Sequence, residues 1–415
     1  MADMEFRRER LRLVAGKLET VYGEDAEPTS ANSVVVTEVD YVREPEEVRR
    51  TILLPTLGAQ PVELVGRKVT LTMKWELQGA GTPGTAPKWG PLVRACCHAE
   101  IIQAAGSTQA SPPTPIDTPT GAFTYVAAGV YAGTTDRVVT LVCTKAGDTG
   151  VAEFTVSAPA IDGVAAYQAL AQVMTSATPF PLCNAATITP TVTTPFVLGD
   201  TFTIALGAPH VDYLPYSGQD TESMSFRYNV DGTLHIAVGG LGEVEFDFSG
   251  RIPMASATFT AMELVDPDDA VIGTLNKAGW LRPTPITKAT TPAFTINAVD
   301  LVMNSLKVKA GNEIVYGTQV NYEAVERLDR ISTYELNVRA TNLDYFNPWA
   351  LAGADPGQAI YLRHGIAPGK IVELSLPSAQ FGTLRYSAEQ KRMNWQINGQ
   401  ALPVNGDDEY RIRVR

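Results

Sequence analysis

The sequence predicts a mainly β protein. Three observations carry that class: apolar and polar residues alternate with period two in several runs, turn dipeptides separate the runs, and 34 glycines and 28 prolines supply further turns. Residues 67–78 place Val69, Leu71, Met73, Trp75 and Leu77 on one strand face, with Lys68, Thr70, Thr72, Lys74, Glu76 and Gln78 on the other. That pattern means a strand packed on one side and wet on the other. It recurs in residues 224–230 (Met224, Phe226, Tyr228 and Val230 share a face), 243–248 and 333–339. Asp231-Gly232 and Ser249-Gly250 sit between runs, where tight hairpins need them. Two helices are expected. One spans 89–102, where Trp89, Leu92, Val93 and Cys96 recur at helical spacing and Pro91 suits the first turn; the other spans 164–174.

The chain has 415 residues, a formal net charge of −12 and 45% hydrophobic residues, which predicts two to three folded domains rather than disorder. Thirty-three basic against forty-five acidic residues argue against a phosphate-gripping surface, and four cysteines are too few for a disulfide scaffold. No apolar run is long enough for a membrane helix, and the charged start 1–12 does not resemble a secretion signal. A soluble, acidic protein is expected.

Composition shifts in the middle. Residues 103–120 read as a Ser/Thr/Pro/Gly linker. From 121 to 207 there are two basic residues (Arg137, Lys145) and five acidic ones (Asp136, Asp148, Glu153, Asp162, Asp200), less than half the whole-chain charge density. This segment reads as a small β-sandwich inserted into a loop of its host. A weak repeat also appears. A strand followed by a Trp-x-x-Leu helix start occurs at 70–92 and again at 333–351, and 244–253 resembles 393–403. The chain is therefore expected to hold one β domain twice, the first copy interrupted; the alternative is that similar hairpins merely look alike.

Catalytic groups are sparse. His98, His210, His235 and His364 lie in no metal-binding spacing, and there is no Cys-x-x-Cys pair. Cys96-Cys97 reads as buried and structural, and Cys143 and Cys183 as free thiols of the insert. Gly239-Gly240-Leu-Gly242 reads as a link between two strands rather than a phosphate cradle, and Asp266-Pro-Asp-Asp269 as a solvated turn rather than a calcium loop. Ser217 and Asp220 near His210 do not define a triad by proximity in sequence alone. No enzyme and no cofactor are expected.

The texture resembles the tail tube proteins (major tail proteins) of long, non-contractile bacteriophage tails. The resemblance starts in the arm-like stretch 13–32 and continues through 65–81, Ala86-Pro-Lys-Trp-Gly-Pro-Leu-Val-Arg-Ala95, 225–232 and 239–253. It covers about 10–105 and 212–265, and is weaker beyond 290. It implies an N-terminal arm at 1–32, a first tube domain at 33–105 and 210–270, an outer immunoglobulin-like domain at 121–207, and a second tube-like domain at 285–415. Each tube domain is a β-sandwich or barrel with one short helix.

In such tubes, sheets of neighbouring subunits join edge to edge into a closed barrel, which removes exposed strand edges. The resemblance implies rings of three or six chains stacked in the virion tail, made in the host cytoplasm. Implied partners are the tail terminator, tail-tip and tape-measure proteins, with DNA passing through and no membrane insertion. Glu243, Glu245 and Asp247 share one strand face and are expected to line the lumen, where acids would repel DNA over about 8–10 Å. Lys68, Lys74 and Arg227 also fall on wet faces, as balancing partners or as counter-evidence. Arg7, Arg8, Arg10 and Arg12, among Asp3, Glu5 and Glu9, would belong to an arm reaching a neighbouring ring. The alternative reading is a multi-domain β adhesin or receptor-binding protein of the virion. A glycan hydrolase, needing two carboxylates in one cleft, ranks third.

Overall fold

A computed structural model of the chain describes residues 7–415 apart from 51, 54–58, 105–112, 162–164, 272 and 355–356. Asp3 and Glu5, part of the expected linker and the start of the expected second helix lie outside the described residues. The fold is mainly β, with 53% of residues in strands and 3% in helices.

The chain begins with β1 (Arg12–Leu18), β2 (Ser33–Val34), β3 (Glu38–Arg43), β4 (Glu46–Arg49), β5 (Val62–Val65), β6 (Lys68–Glu76), α1 (Gly90–Arg94) and β7 (His98–Gln103). The insert follows: β8 (Thr114–Ile116), β9 (Ala122–Ala127), β10 (Arg137–Lys145), β11 (Glu153–Ala158), β12 (Tyr167–Val173), β13 (Phe180–Pro181), β14 (Thr187–Thr194) and β15 (Thr201–Leu206). The host resumes with β16 (His210–Pro215), β17 (Met224–Val230), β18 (Thr233–Asp247) and β19 (Met254–Asp269). The rest contains β20 (Ala293–Ile296), β21 (Val299–Asp300), β22 (Met303–Lys309), β23 (Asn312–Gln319), β24 (Tyr322–Arg330), β25 (Thr333–Arg339), α2 (Pro348–Leu351), β26 (Gln358–His364), β27 (Val372–Glu389), β28 (Arg392–Ala401) and β29 (Arg411–Val414).

Two hydrophobic cores are separate. One runs through the host from Val14 to Val414; the other fills the insert, from Phe123 to Ala208. In the insert a five-stranded sheet, β12-β11-β10-β15-β8, and a three-stranded one, β13-β14-β9, share that second core. Its centre is a pile of edge-to-face rings, Phe123, Phe154, Phe196 and Phe202, with centroids 4.9–5.9 Å apart in the pairs that meet. Cys143 and Cys183 are buried and free.

The host is built around one antiparallel run of strands, β3-β6-β19-β18-β22-β25-β28-β27. The dry face carries Val69, Leu71, Met73, Trp75, Phe246, Val308 and Leu336, all at most 1% exposed, as the alternation predicts. A second layer covers it, and two strands cross between the layers. The start of β18 pairs with β17 and the start of β27 with β26, before each continues into the eight-strand run. A β-bulge bends each at the crossing. In β18 the bulge lies at Gly239-Gly240, where Gly239 has φ +66° and a Cβ would come within 2.7 Å of the Met262 methyl. This glycine cluster therefore lies inside one strand rather than linking two.

The second half repeats the pairing scheme of the first. β1 pairs with β2 and β17, and β20 with β21 and β26. β3 and β22 pair with β6 and β25, each pair enclosing an outer hairpin, β4–β5 or β23–β24. β6 pairs with β19 as β25 does with β28. The bulges coincide too: Met224↔Gly240 is followed by Phe226↔Ala237, and Gln358↔Ala379 by Ile360↔Leu376. The helix starts at Trp89 and Trp349 correspond in this scheme, but 244–253 begins on β18 and 393–403 on β28, one strand out of step. The interruption of the first copy is also larger than the insert. β7 and β16 belong to it, and their far ends hold the insert.

Three local expectations are corrected. Residues 89–102 are helical only at Gly90–Arg94; the chain turns through Cys97 (φ 60°) into β7, because 98–103 is fully paired with β16. Cys96 and Cys97 are buried, but in that turn rather than on a helix. The region expected as a second helix holds β12, the edge strand of the larger insert sheet, pairing with β11. Asp266-Pro-Asp-Asp269 is not a turn but the exposed end of β19, opposite the start of β18.

Candidate functional site

The wet face of the eight-strand run is the largest surface built to one plan. β6 contributes Lys68, Thr70, Thr72, Lys74 and Glu76, and β19 adds Ser256, Thr258 and Thr260 in register. β18 supplies Glu243, Glu245 and Asp247, so the three predicted acids do share one face. Across the junction between the repeats they meet Lys307 and Lys309 of β22. Lys309 lies 3.2 Å from Glu243, and Lys307 lies 3.4 Å from Glu245 and 3.2 Å from Asp247. Burial alone would raise the Asp247 pKa, but hydrogen bonds from Ser249 and the Lys307 ammonium outweigh it and the pKa is lowered. Burial would lower the Lys307 pKa, and the pairing with Asp247 and Glu245 raises it instead. Beyond this ladder the face carries mainly amides and hydroxyls (Asn337 on β25, Gln396, Asn398 and Gln400 on β28, Thr383 and Ser387 on β27), with Glu335 and Arg339 on β25 and Arg385 on β27 among them.

The face is thus polar and near balance rather than a bare acidic wall. Lys68 pairs with Glu44 at 2.7 Å, and Lys74 stands opposite Glu38. Arg227 lies in the second layer, bound to Asp25 at 2.7 Å. The lysines that neutralise the three acids were missed because nothing in sequence announces which strand lies beside β18. Only the alternation of 303–309, with Lys307 and Lys309 on its polar side, was available.

The described part of the expected arm packs against the rest of the same chain. Arg7 reaches Asp269 at 2.5 Å, Arg8 reaches Asp231, and Arg12 donates to the Val39 carbonyl at 2.8 Å; Arg10 is exposed. Glu19 accepts from the backbone N–H of Gly239 (2.7 Å) and from the hydroxyls of Ser223 and Ser225, and so holds the arm against the bulge. β1 is a full member of the second layer, with Val14 at 0% exposure. Burial of that apolar side, which the charged first dozen residues hide, is the physical reason.

Elsewhere the polar groups are structural. An ionic hub, buried except at Asp136, joins insert, host and final strand. Arg413 forks onto Asp212 (2.6 and 2.7 Å) and reaches Asp136 of the insert (2.9 Å), while Arg415 bonds Asp136 (3.0 Å) and Glu373 (3.0 Å). Burial would raise the Asp136 pKa, but Arg415 and Arg413 together lower it to about 2. A cleft of about 260 Å³ does hold three carboxylates, Glu100, Asp220 and Glu222, but Glu100 and Glu222 both bind Arg94, Glu100 also accepts from Tyr213, and Asp220 accepts from Tyr216. Every described aromatic residue of 121–207 is buried or half-buried. Among the described residues no group of three or more His, Cys, Asp and Glu is placed to hold a metal, and no helix is long and apolar enough to cross a membrane.

No protein-family model and no curated protein matches this chain.

Proposed function

We propose that the protein is a structural virion component: the tube-forming subunit of a long phage tail, whose copies join their sheets into stacked rings around a channel for DNA. One observation carries the reading. The host presents an eight-strand sheet, dry on one side and polar on the other, whose outermost stretches, β3 and 381–389 of β27, each have a strand partner on one side only among the described residues. A long two-sided sheet with free edges is an aggregation hazard unless the edges are covered or the sheet closes on itself. Joining copies into a barrel closes it, and places the polar face around water.

In this reading each repeat is a tube domain, and the insert is an outer immunoglobulin-like decoration. The balanced inner skin supports passage of DNA: a strongly basic wall would bind the phosphate backbone through counterion release, whereas paired acids and lysines offer little net attraction. The buried and half-buried aromatics of the insert lend no support to an adhesin, and the cleft carboxylates, held by Arg94 and Tyr216, lend none to a hydrolase. Negative-stain microscopy with sedimentation of the purified full chain tests the proposal. Rings or tubes with a central bore are expected. A stable monomer over the whole accessible concentration range would sink it.

A further inference from the structure

The internal repeat shows how one copy meets the next. Aligned on their common bulge, β6 residues 70–76 correspond to β25 residues 333–339, and β19 residues 254–260 to β28 residues 394–400. It follows that Asp40 of β3 occupies the place of Lys307, since they stand opposite the equivalent Thr72 and Glu335. Likewise Arg385 of β27 occupies the place of Glu245, opposite Gln396 and Ser256. Within the chain, β18 and β22 join the repeats with Glu245↔Lys309, Phe246↔Val308 and Asp247↔Lys307.

We infer that β3 of one copy pairs antiparallel with residues 385–387 of β27 in a second copy, in the register Arg385↔Val42, Tyr386↔Tyr41 and Ser387↔Asp40. The inference rests on the ring reading and gives it a specific contact. Three observations support it. First, one of the three internal ion pairs, Lys307 with Glu245, has an opposite-charge counterpart with its signs exchanged. Inside the chain a lysine on β22 reaches an acid on β18; between copies an acid on β3 reaches an arginine on β27. The exchange also opposes a wrong fold, because β3 laid against β18 would set Asp40 beside Glu245 and Asp247. Second, the apolar side awaits cover. Phe246 and Val308 are both fully buried at the internal junction, whereas Tyr386 is 55% exposed, its ring tilted against the 42%-exposed Trp349 at 5.6 Å, and its proposed partner Tyr41 is half-buried.

Third, the outer hairpins differ in the same way. β23–β24 packs Val325 on Val238, Leu241 and Met262 of the first repeat. Its counterpart β4–β5 leaves Val48, Val62 and Leu64 exposed, as if its platform belonged to another copy. In the free chain Arg12 covers the Val39 carbonyl on the β3 edge, which restrains uncontrolled pairing.

Charge reversal in the full-length chain tests the register. Asp40→Arg and Arg385→Asp each alter an exposed side chain, and both variants are checked for unchanged melting as monomers. Each alone is expected to reduce assembly at least tenfold by sedimentation, and the double variant to restore it. A second variant, Val42→Cys with Arg385→Cys, is expected to give a ladder of disulfide-linked oligomers under mild oxidation. Opposed, non-hydrogen-bonded residues lie about 4.5 Å apart between Cα atoms, within disulfide reach. If the wild type forms rings but the single variants assemble normally, the double variant fails to recover, or no ladder forms, the register is wrong while the ring reading stands. A wild type that never assembles overturns both.

Discussion

His98 shows how completely the core has absorbed groups that would elsewhere do chemistry. Its Nδ1 lies 2.7 Å from the Cys96 carbonyl and its Nε2 lies 2.6 Å from the Tyr410 hydroxyl, in full burial. Burial pushes its pKa down to about 4. An unfolded chain takes up this proton near pH 6.5. Between the two values the unfolded state binds more protons, so stability falls as pH drops from 7 towards 4 and the loss then levels off. Burial lowers the pKa of the other three histidines as well, with the same sign. The melting temperature should fall from pH 7 to pH 5, and His98→Gln should flatten that slope; an unchanged slope would remove His98 from the account. Two aromatic residues at equivalent places predict opposite outcomes. Phe246→Ala should cost about 3–5 kcal/mol in denaturant unfolding, since its site is fully buried. Tyr386→Ala should leave the monomer's stability within about 0.5 kcal/mol, being largely exposed. At this scale the sequence was legible where a residue's neighbours lie on its own strand, as for Glu243, Glu245 and Asp247. It was not where the neighbour comes from the other repeat, as for Lys307 and Lys309.

Strands declared themselves by alternation, whereas the helices did not. The spacing of Trp89, Leu92, Val93 and Cys96 suits a helix, but pairing of residues 98–103 with β16 ends it at Arg94. The local pattern had no means of revealing a strand more than a hundred residues away. The bulge was illegible for a related reason: Gly239-Gly240 looks like a turn until the alternation on both sides is known to belong to one bent strand. Gly239→Val should therefore destabilise by about 1–3 kcal/mol, because a β-branched residue is strained at φ +66°. Its effect should exceed that of Gly406→Val, which also has positive φ but has open space around it, when both are measured by thermal melting. The ionic hub belongs to this scale because it fixes β16, β29 and the insert together. Asp212→Ala would leave the Arg413 guanidinium buried with half its partners gone, at a cost of about 3–5 kcal/mol. Limited proteolysis of that variant should release the insert earlier than in the wild type.

Across the whole molecule, the polar skin of the sheet can be tested without touching the proposed contact between copies. Thr72→Lys with Thr258→Lys adds two cations to exposed positions on neighbouring strands without breaking an ion pair. Assembled material should then retain DNA at low salt and release it as salt rises, because phosphate binding is driven by counterion release. The duplication itself was half legible: the recurring strand-and-tryptophan start was visible, but the alignment that followed it slipped by one strand, since hairpins of one texture do not reveal their place in a sheet. The interruption of the first copy has a further consequence, for the order of folding. β6 must find β19 across nearly two hundred residues, including a domain with its own core, whereas β25 finds β28 across about sixty. Closing the shorter loop loses less chain entropy and is faster. The later-synthesised half should therefore gain amide protection first in pulse-labelled hydrogen exchange, and offer β22 as a ready template on which the earlier half completes its own sheet.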